Sequence, residues 1–358
     1  MTPHKSPTND PDPVSDPFGE RPQGRFRKRF RVLGANITFD SNSPELLALL
    51  DFAYRDLPRH RLNAKLPELH ITLQLAPTAR RRFDATEPDA LVLTHGAGML
   101  AGSIGPGNFV IVAPAQRSAL VVVAADMLRF PYHVRYELLE FAVYTLAARA
   151  QGFVPLHAAC VGIAGRGVIL MGPSGAGKST VALHCALDGF EFLAEDSVFV
   201  DADGMRATGV ANFLHIRTDS LHWLVRSDRS KAIRRSPLIT RRSGAKKREI
   251  DLRRHAFRLA PHALQIVAVV FLTEETADRD ALLRPLRKRE ARHKLAAMQA
   301  YGCSRPEWKN FNKGVGHIET YELRRGRHPN EATAALRELL QVTHQTMHRP
   351  RPSRARHS

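Results

Sequence analysis

The feature that most constrains this chain is a glycine-rich run between a short apolar strand and a helix. The run consists of Gly172, Pro173, Ser174, Gly175, Ala176, Gly177, Lys178, Ser179 and Thr180. Val168–Met171 before it is wholly apolar, and a helix is predicted over Thr180–Leu187. Glycines let the backbone curl so that successive N–H groups point inward, and the helix adds the positive end of its dipole. The run is therefore predicted to be a P-loop that holds the phosphates of a nucleotide.

Two side chains of the predicted P-loop are expected to contact that nucleotide. Lys178 is expected to reach the β- and γ-phosphates of ATP, and the hydroxyl of Ser179 is expected to bind Mg²⁺. The alternative is a glycine-rich turn between a strand and a helix that binds no ligand. The apolar strand before the run and the helix after it favour the P-loop.

Two adjacent acids follow the loop closely. The predicted strand Phe190–Ala194 ends at Glu195 and Asp196, which stand 17 and 18 residues after Lys178. Adjacent residues on a strand point to opposite sides, but the twist at a strand end can turn both towards the phosphates. One acid can then bind Mg²⁺, and the other can take the proton of an incoming hydroxyl. The alternative is a pair of solvated turn acids, which the position behind the loop makes the weaker interpretation.

Residues 155–200 resemble the catalytic domain of the HPr kinase/phosphorylase family. The similar segments are Leu156-His157-Ala158-Ala159, Gly165-Arg166-Gly167, the loop itself, and the eight residues from Gly189 to Asp196. The resemblance implies an enzyme that uses ATP and Mg²⁺ to phosphorylate a serine hydroxyl of a carrier protein. The family's carrier-recognition segment, an Arg-Gly-containing stretch after the acids, is not visible here. We therefore expect a divergent kinase with another acceptor.

The resemblance also implies roles for individual residues. Lys178 matches the phosphate-binding lysine, and Ser179 and Asp196 match the metal ligands. Glu195 matches the first acid of the family, the general base, although the family has an aspartate there and glutamate is one methylene longer. His157 matches a histidine near the phosphates, whereas from the sequence alone it reads as a core histidine bonded to backbone. The predicted catalytic residues are thus Glu195, Asp196, His157 and Lys178.

The chain is predicted to be an α/β protein with two structured parts. The larger part is a P-loop kinase domain of the HPr-kinase/phosphoenolpyruvate-carboxykinase type, and the smaller is an N-terminal α/β unit. The predicted boundaries are a disordered leader over 1–24, the N-terminal unit over 25–133, the P-loop domain over 134–345 and a basic disordered tail over 346–358. The main predicted elements are a helix that starts at Ser43-Pro44-Glu45, a strand over 69–75, a helix over about 134–150, strands Val154–Ile163 and Leu264–Leu272, and a helix capped by Asn330.

The net charge of +18 predicts contact with acidic partners, such as nucleotides, nucleic acid, an acidic protein or anionic lipid. The alternative is a generally arginine-rich composition without functional meaning. The stretch 226–254 is strongly basic, and we expect most of it to be a solvated loop. Its Lys246, Lys247 and Arg248, together with Arg217, are candidate cations for the γ-phosphate. With Arg241 and Arg242, the two lysines are also expected to form a positively charged rim that attracts an acidic acceptor.

The composition bears on whether the chain is a membrane, secreted or nucleic-acid-binding protein. No run of about 18 apolar residues exists, so we expect no membrane span and no membrane partner. The N-terminus lacks the apolar core of a secretory signal, and the three cysteines follow no metal or disulfide spacing. We therefore expect a cytoplasmic protein. The basic stretch has few aromatic residues, so we do not expect nucleic acid as a partner. The choice between a monomer and a homo-oligomer stays open.

The function predicted from the sequence is transfer of the γ-phosphate of ATP, with Mg²⁺, to a hydroxyl of an acidic peptide, protein or small molecule. The alternative is a nucleotide-binding regulatory switch that has no acceptor. The pair Glu195–Asp196 separates the two, because a kinase needs a base beside the metal and a switch needs only the loop and one metal ligand. The choice between ATP and GTP is not decided by the residues.

Overall fold

Within the part of the chain that the structure describes, helices pack with three β-sheets. The computed structural model describes residues 25–78, 87–254, 256–277 and 282–347. The predicted leader over 1–24 and the part of the predicted tail after residue 347 lie outside these ranges. The mixture of sheets and helices confirms the α/β class predicted from the sequence.

The first sheet is built from the residues before position 125. Its strands are β1 (Phe26–Val32), β2 (Ala35–Ser41), β3 (Glu68–Ala76), β4 (Val92–Gly96), β5 (Met99–Ser103), β6 (Phe109–Ala113) and β7 (Ser118–Ala124). They are ordered β1-β2-β3-β7-β6-β5-β4 within the described ranges. The central pairs β2–β3 and β3–β7 are parallel, and the outer pairs are antiparallel. The alternation that predicted a strand over 69–75 is confirmed by β3, whose leucines and isoleucine face the core.

Helices cover one face of this sheet. They are α1 (Pro44–Tyr54), a 3₁₀ helix (Ala125–Arg129), α2 (Pro131–His133), a π-helix (Val134–Leu139) and α3 (Glu140–Gln151). The predicted start of α1 is confirmed, because the Ser43 side chain accepts a hydrogen bond from the Leu46 N–H and Pro44 takes the first position. The π-helix and α3 pack into the core of the first sheet. The sequence assigned residues from 134 onward to the P-loop domain; their packing joins them to the N-terminal sheet, while the division into domains remains a prediction.

The rest of the described chain forms a larger sheet and a small one. The strands are β8 (Val154–His157), β9 (Ala159–Ile163), β10 (Arg166–Met171), β11 (Glu191–Ala194), β12 (Ser197–Asp201), β13 (Arg206–Gly209), β14 (Phe213–Arg217), β15 (Leu238–Thr240), β16 (Lys246–Asp251), β17 (Leu264–Thr276), β18 (Leu283–Pro285) and β19 (Glu319–Arg325). The helices are α4 (Lys178–Leu187), α5 (Asp228–Arg235), α6 (Lys288–Met298), α7 (Ala300–Cys303), α8 (Trp308–Val315) and α9 (Pro329–Met347), with a 3₁₀ helix at Thr218–Trp223.

The larger sheet is mixed and has a core on each face. Its strands run β11-β9-β10-β17-β13-β12-β8, with β19 paired to β17 and β18 paired to β19. β17 is parallel to β10 and to β19. Side chains of β10 alternate between the faces: Val168 and Leu170 pack with α4 and α9, whereas Ile169 and Met171 pack with α6 and α8. An apolar strand buried on both sides therefore ends where the glycine-rich loop begins.

Several sequence predictions differ from the structure. The predicted strand Val154–Ile163 is two strands, because the chain leaves β12 at Ala158, whose N–H bonds to the Asp196 carbonyl. The predicted solvated loop over 226–254 is wrong: it contains α5, β15 and β16, and Ile233 and Ile250 are buried. Asn330 is not a helix cap, since α9 begins one residue earlier and the Asn330 side chain bonds to the His184 ring.

The strands β12 and β13 pair antiparallel and form a hairpin whose turn contains Asp203 and Gly204. Among the described residues, no helix is both long and apolar enough to cross a membrane.

Candidate functional site

The glycine-rich loop joins β10 to α4. Gly175 and Gly177 have φ angles of 92° and 96°, in the left-handed region that side chains with a β-carbon rarely adopt. Gly177 directly precedes the first turn of α4, and its carbonyl accepts the Val181 N–H. The loop residues line a cleft, which we call the loop cleft. The positive end of the α4 dipole therefore lies beside this cleft.

Lys178 is buried at the base of the loop cleft. Its Nζ donates to the carbonyl oxygens of Gly172 at 2.7 Å and Pro173 at 3.3 Å. Burial lowers the pKa of Lys178, and the negative charges of Asp196 and Glu195 offset part of this effect. The ammonium group is thus held in place by the loop itself and faces two carboxylates.

Ser179 contacts the first of the two acids. Its Oγ donates to Oε1 of Glu195 at 2.5 Å, and the Glu195 side chain is buried directly after β11. The other oxygen of Glu195 is 3.4 Å from Nδ1 of His215. The sequence paired Ser179 with Asp196 as metal ligands, whereas the structure brings Ser179 together with Glu195.

Asp196, the second of the two acids, pairs with His157. Its Oδ1 is 2.9 Å from Nδ1 of His157, and the two side chains are 43% and 60% exposed. His157 is therefore not the core histidine that the sequence alone indicated. Its backbone is fixed by the buried Gln299, whose Oε1 accepts the His157 N–H at 2.8 Å and whose Nε2 donates to the His157 carbonyl at 3.0 Å.

The Asp196–His157 pair favours its ionised form. Burial raises the pKa of Asp196, but the hydrogen bond and charge of His157, together with Arg241 and Lys247, outweigh this and hold the pKa well below its usual range. The hydrogen bond with Asp196 raises the pKa of His157, against an opposite contribution from partial burial.

Asp196→Asn is expected to lower the pKa of His157 towards its ordinary value, because the largest contribution that raises it is then lost. The sign follows from linkage: a raised pKa means that the folded protein stabilises the imidazolium, and this stabilisation disappears as the pH rises through the pKa. An NMR titration of the ring protons measures the change. His70, whose ring lies 3.3 Å from Asp40 on the first sheet, is the internal control. An unchanged His157 pKa would contradict the assignment.

A buried chain of polar side chains extends from Glu195 away from the loop. The next member of this chain after Glu195 is His215 on β14. The Nε2 atom of His215 is 3.1 Å from Oε2 of Glu249 on β16. The Tyr136 hydroxyl is 2.7 Å from the same ring nitrogen. Arg135 forms an ion pair with Glu249, and both side chains are buried. The first acid is thereby connected to the π-helix that packs on the N-terminal sheet.

The sequence did not predict five residues that support the site: His215, Glu249, Arg135, Tyr136 and Gln299. Their only local signal is a polar residue between buried apolar neighbours, as in Leu214-His215-Ile216. That pattern also fits an ordinary half-buried strand.

The loop cleft has a volume of about 770 Å³ and contains several cations. Lys247 and Arg217, two candidates for the γ-phosphate, line it, and Arg241 also lines it. Two other candidates do not: Lys246 is exposed on β16, and the Arg248 guanidinium donates to the Ser236 carbonyl. Arg324 and Arg325 also line the cleft, so its cations come from β14, β16, β19 and the turn between β15 and β16, in addition to Lys178 on α4.

The four residues predicted to form a basic rim do not share one surface. The Arg242 guanidinium pairs with Glu137 and is drawn away from the cleft. Arg241 lies over the Tyr136 ring, with a nitrogen 3.9 Å from Asp196. The structure thus divides this group between the cleft and the π-helix.

A second cavity of about 700 Å³ lies on the other side of the carboxylates, and we call it the apolar cavity. Four residues line both it and the loop cleft: His157, Glu195, Asp196 and His215. Of the four residues predicted to be catalytic, the structure therefore places three on this shared wall. The fourth, Lys178, lines the loop cleft alone.

The chain is distant from the known proteins with which it was compared. No family model and no curated protein matches it. Among solved structures, it is similar to the Hpr(Ser) kinase/phosphatase from Coxiella burnetii, with 13% sequence identity, 54% of this chain and 97% of that chain covered, and a TM-score of 0.28. A similarity of this size carries no argument for fold or function, so the function of this chain has to be inferred from the geometry of its site.

Proposed function

We propose that this chain is a kinase that transfers the γ-phosphate of ATP, with Mg²⁺, to a hydroxyl group. The observation that supports this most is the shared wall, where Glu195 and Asp196 face the loop cleft on one side and the apolar cavity on the other. The loop cleft suits a polyanion, and the apolar cavity gives an acceptor access to the same carboxylates. A nucleotide-binding switch, the alternative function, requires no second cavity at this position.

The residues of the loop cleft fit a magnesium nucleotide. The Ser179 hydroxyl and the Glu195 carboxylate are in contact and are the hard oxygen donors that Mg²⁺ takes. Within the described ranges, no group of three or more His, Cys, Asp or Glu side chains has the arrangement to hold a metal alone. The other ligands would therefore come from phosphates and water, as is usual for this ion. When bound, Mg²⁺ would neutralise charge that develops on the phosphates.

The protein's own groups then have defined tasks. Lys178 binds the β- and γ-phosphates, and Lys247, Arg241 and Arg217, which line the same cleft, are our candidates to contact the γ-phosphate. The hydroxyl oxygen of the acceptor forms a bond to the γ-phosphorus while the bond to the β-phosphate oxygen breaks. ADP leaves with that electron pair, and the hydroxyl proton passes to Asp196.

The geometry favours an exchange of the roles that the resemblance gave to the two acids. Glu195 contacts Ser179 and is buried, so we assign it to the metal side. Asp196 is half exposed and is oriented by His157, so we assign it to the acceptor hydroxyl. A carboxylate with a low pKa is a weak base, which suits phosphoryl transfer because positioning contributes more to it than early proton removal.

Nucleotide binding is the first test of this proposal. ATP with Mg²⁺ is expected to raise the melting temperature, because a ligand that binds only the folded state stabilises it by about 2.7 kcal/mol at roughly 100 times its Kd. Lys178→Ala is expected to remove most of the rise. Lys246→Ala is the matched control, since this exposed lysine does not line the loop cleft and is expected to leave the rise unchanged.

Two results would count against the proposal. The absence of any melting shift and of measurable nucleotide binding in the wild type would reject it. An equal loss in Lys178→Ala and Lys246→Ala would show that the nucleotide is attracted by general positive charge rather than by the loop.

A further inference from the structure

The apolar cavity lies between the N-terminal sheet and the large sheet. One wall comes from α3 and from strands β4 and β5, and the opposite wall comes from β8, β12, β14 and the segment around α7. Large apolar and aromatic side chains line it, among them Leu93, Leu100, Phe141, Tyr144, Phe213 and Tyr301. An apolar lining with a few polar groups is typical of sites for small molecules.

Apolar side chains are exposed at the cavity where a folded protein would normally cover them. Leu93 on β4 and Tyr301 on α7 line it, with 60% and 52% of their surfaces exposed. Val92, the neighbour of Leu93 on the same strand, is similarly exposed but does not line the cavity. An apolar ligand in the cavity would bury Leu93 and Tyr301.

Glu140, at the start of α3, supplies an unsatisfied polar group. Its side chain lines the apolar cavity, the residue is only 5% exposed, and Oε1 has no hydrogen-bond partner among the described residues. Burial raises the pKa of Glu140 to about 7, although Arg135 and His215 act in the opposite direction. A buried carboxyl oxygen that accepts no hydrogen bond lowers the stability of the folded protein. A ligand that donates a hydrogen bond to this oxygen, such as an amine, would remove that cost.

We infer that the apolar cavity binds the phosphate acceptor, and that this acceptor is a small, mainly apolar alcohol with a hydrogen-bond donor or amine directed at Glu140. The inference rests on the proposed function, because only a phosphate transfer requires a hydroxyl beside Asp196. The acceptor enters from the side of Leu93 and Tyr301 and places its hydroxyl at the shared wall. The nucleotide occupies the loop cleft on the other side.

The charge of the cavity distinguishes this acceptor from the acidic one expected from the net charge. Four carboxyl groups line the cavity, those of Glu137, Glu140, Glu195 and Asp196, against the two guanidinium groups of Arg149 and Arg305, so a negatively charged acceptor meets more carboxyl groups than guanidinium groups. Its volume is that of a site for a drug-sized molecule, and a folded carrier protein does not fit inside it.

The experiment uses three amine or acid probes of similar size on the full chain without nucleotide. L-phenylalaninol has a phenyl ring, an amine and a primary hydroxyl. In 3-phenyllactate a hydroxyl replaces the amine and a carboxylate replaces the hydroxymethyl group, and 3-phenylpropylamine has an amine and no hydroxyl. Ligand-observed NMR measures their binding. Both amines are expected to bind about tenfold or more tightly than 3-phenyllactate, which is the effect of one hydrogen bond to a charged group.

Two variants test the residues. Glu140→Gln is expected to remove most of the preference for the amines. Because a buried substitution can also disturb folding, Leu93→Gln is the second variant, and it is expected to weaken phenylalaninol binding about fivefold through lost apolar contact. Val92→Gln, on the other face of β4, is the matched control with unchanged binding.

Catalysis separates an acceptor site from a mere binding site. With ATP and Mg²⁺, phenylalaninol is expected to raise ADP formation above the rate with water, and 3-phenylpropylamine is expected not to raise it. No stimulation by phenylalaninol, no binding of either amine, or preferred binding of 3-phenyllactate would each overturn the inference. These outcomes are independent of the melting shift with ATP, so a failure here and a failure of nucleotide binding are distinguishable.

Discussion

Asp196→Asn is expected to lower the turnover of phosphate transfer by about 10²–10⁴, the usual contribution of a positioned proton acceptor, and to leave nucleotide binding nearly intact. The reason is that Asp196 pairs with His157, whereas the hydroxyl of Ser179 bonds to Glu195. Glu195→Gln is expected to raise the Mg²⁺ concentration needed for half-maximal rate and to lower turnover, because a carboxylate oxygen of the metal side becomes a neutral amide.

Steady-state ADP formation at varied Mg²⁺ measures both changes. Asp203→Asn, which removes an exposed carboxylate in the hairpin between β12 and β13, is the control and is expected to match the wild type. If Asp196→Asn raises the Mg²⁺ requirement and Glu195→Gln changes only turnover, the assignment made from the family resemblance is right and the exchange of roles is wrong. If both variants keep wild-type rates, neither acid takes part in the reaction.

Arg135→Ala is expected to lower the free energy of unfolding by about 3–5 kcal/mol, because it leaves Glu249 as an uncompensated buried charge. The pair is almost wholly removed from solvent, and the guanidinium also packs against the rings of Phe213 at 4.3 Å and Tyr136 at 4.7 Å. Denaturant unfolding followed by circular dichroism measures the loss.

Two comparisons show whether the lost charge pair is responsible. Lys231→Ala breaks the exposed pair with Asp228 on α5 and is expected to cost roughly 0–1 kcal/mol. The double variant Arg135→Met with Glu249→Leu is expected to recover much of the stability, since an apolar pair avoids the burial of two charges. A double variant as unstable as Arg135→Ala would assign the loss to packing alone.

The sequence predicts which residues of the site are neighbours only where those residues belong to one local motif. The loop, Lys178, Ser179 and the two acids lie on consecutive elements, so one strand–loop–helix–strand unit fixes their proximity. The sequence does not predict which side chain each of the two acids contacts. Ser179 contacts Glu195 because the chain turns between β11 and β12, and side chains of adjacent residues diverge at that turn.

The supporting residues were not predictable because they come from distant parts of the chain. Gln299 lies 142 residues from His157, and it fixes the histidine only because α7 packs beside β8. The basic stretch was predicted as a loop because its charges hide a short amphipathic helix and two short strands, with few apolar positions to reveal their period. Only the sheet topology brings His215 on β14 and Glu249 on β16 close to the carboxylate of Glu195.

The π-helix that carries Arg135 and Tyr136 has a consequence for how the chain can change over evolution. Its backbone bonds reach one residue further than in an α-helix, as the bond from the Glu140 N–H to the Arg135 carbonyl shows. Deleting one residue here would give an ordinary α-helix. It would also rotate everything before the deletion by about 100° relative to α3, because an α-helix has about 3.6 residues per turn. Relatives whose alignment shows a one-residue gap in this segment are therefore expected to have lost the ion pair between this arginine and Glu249, even where the glycine-rich loop is unchanged.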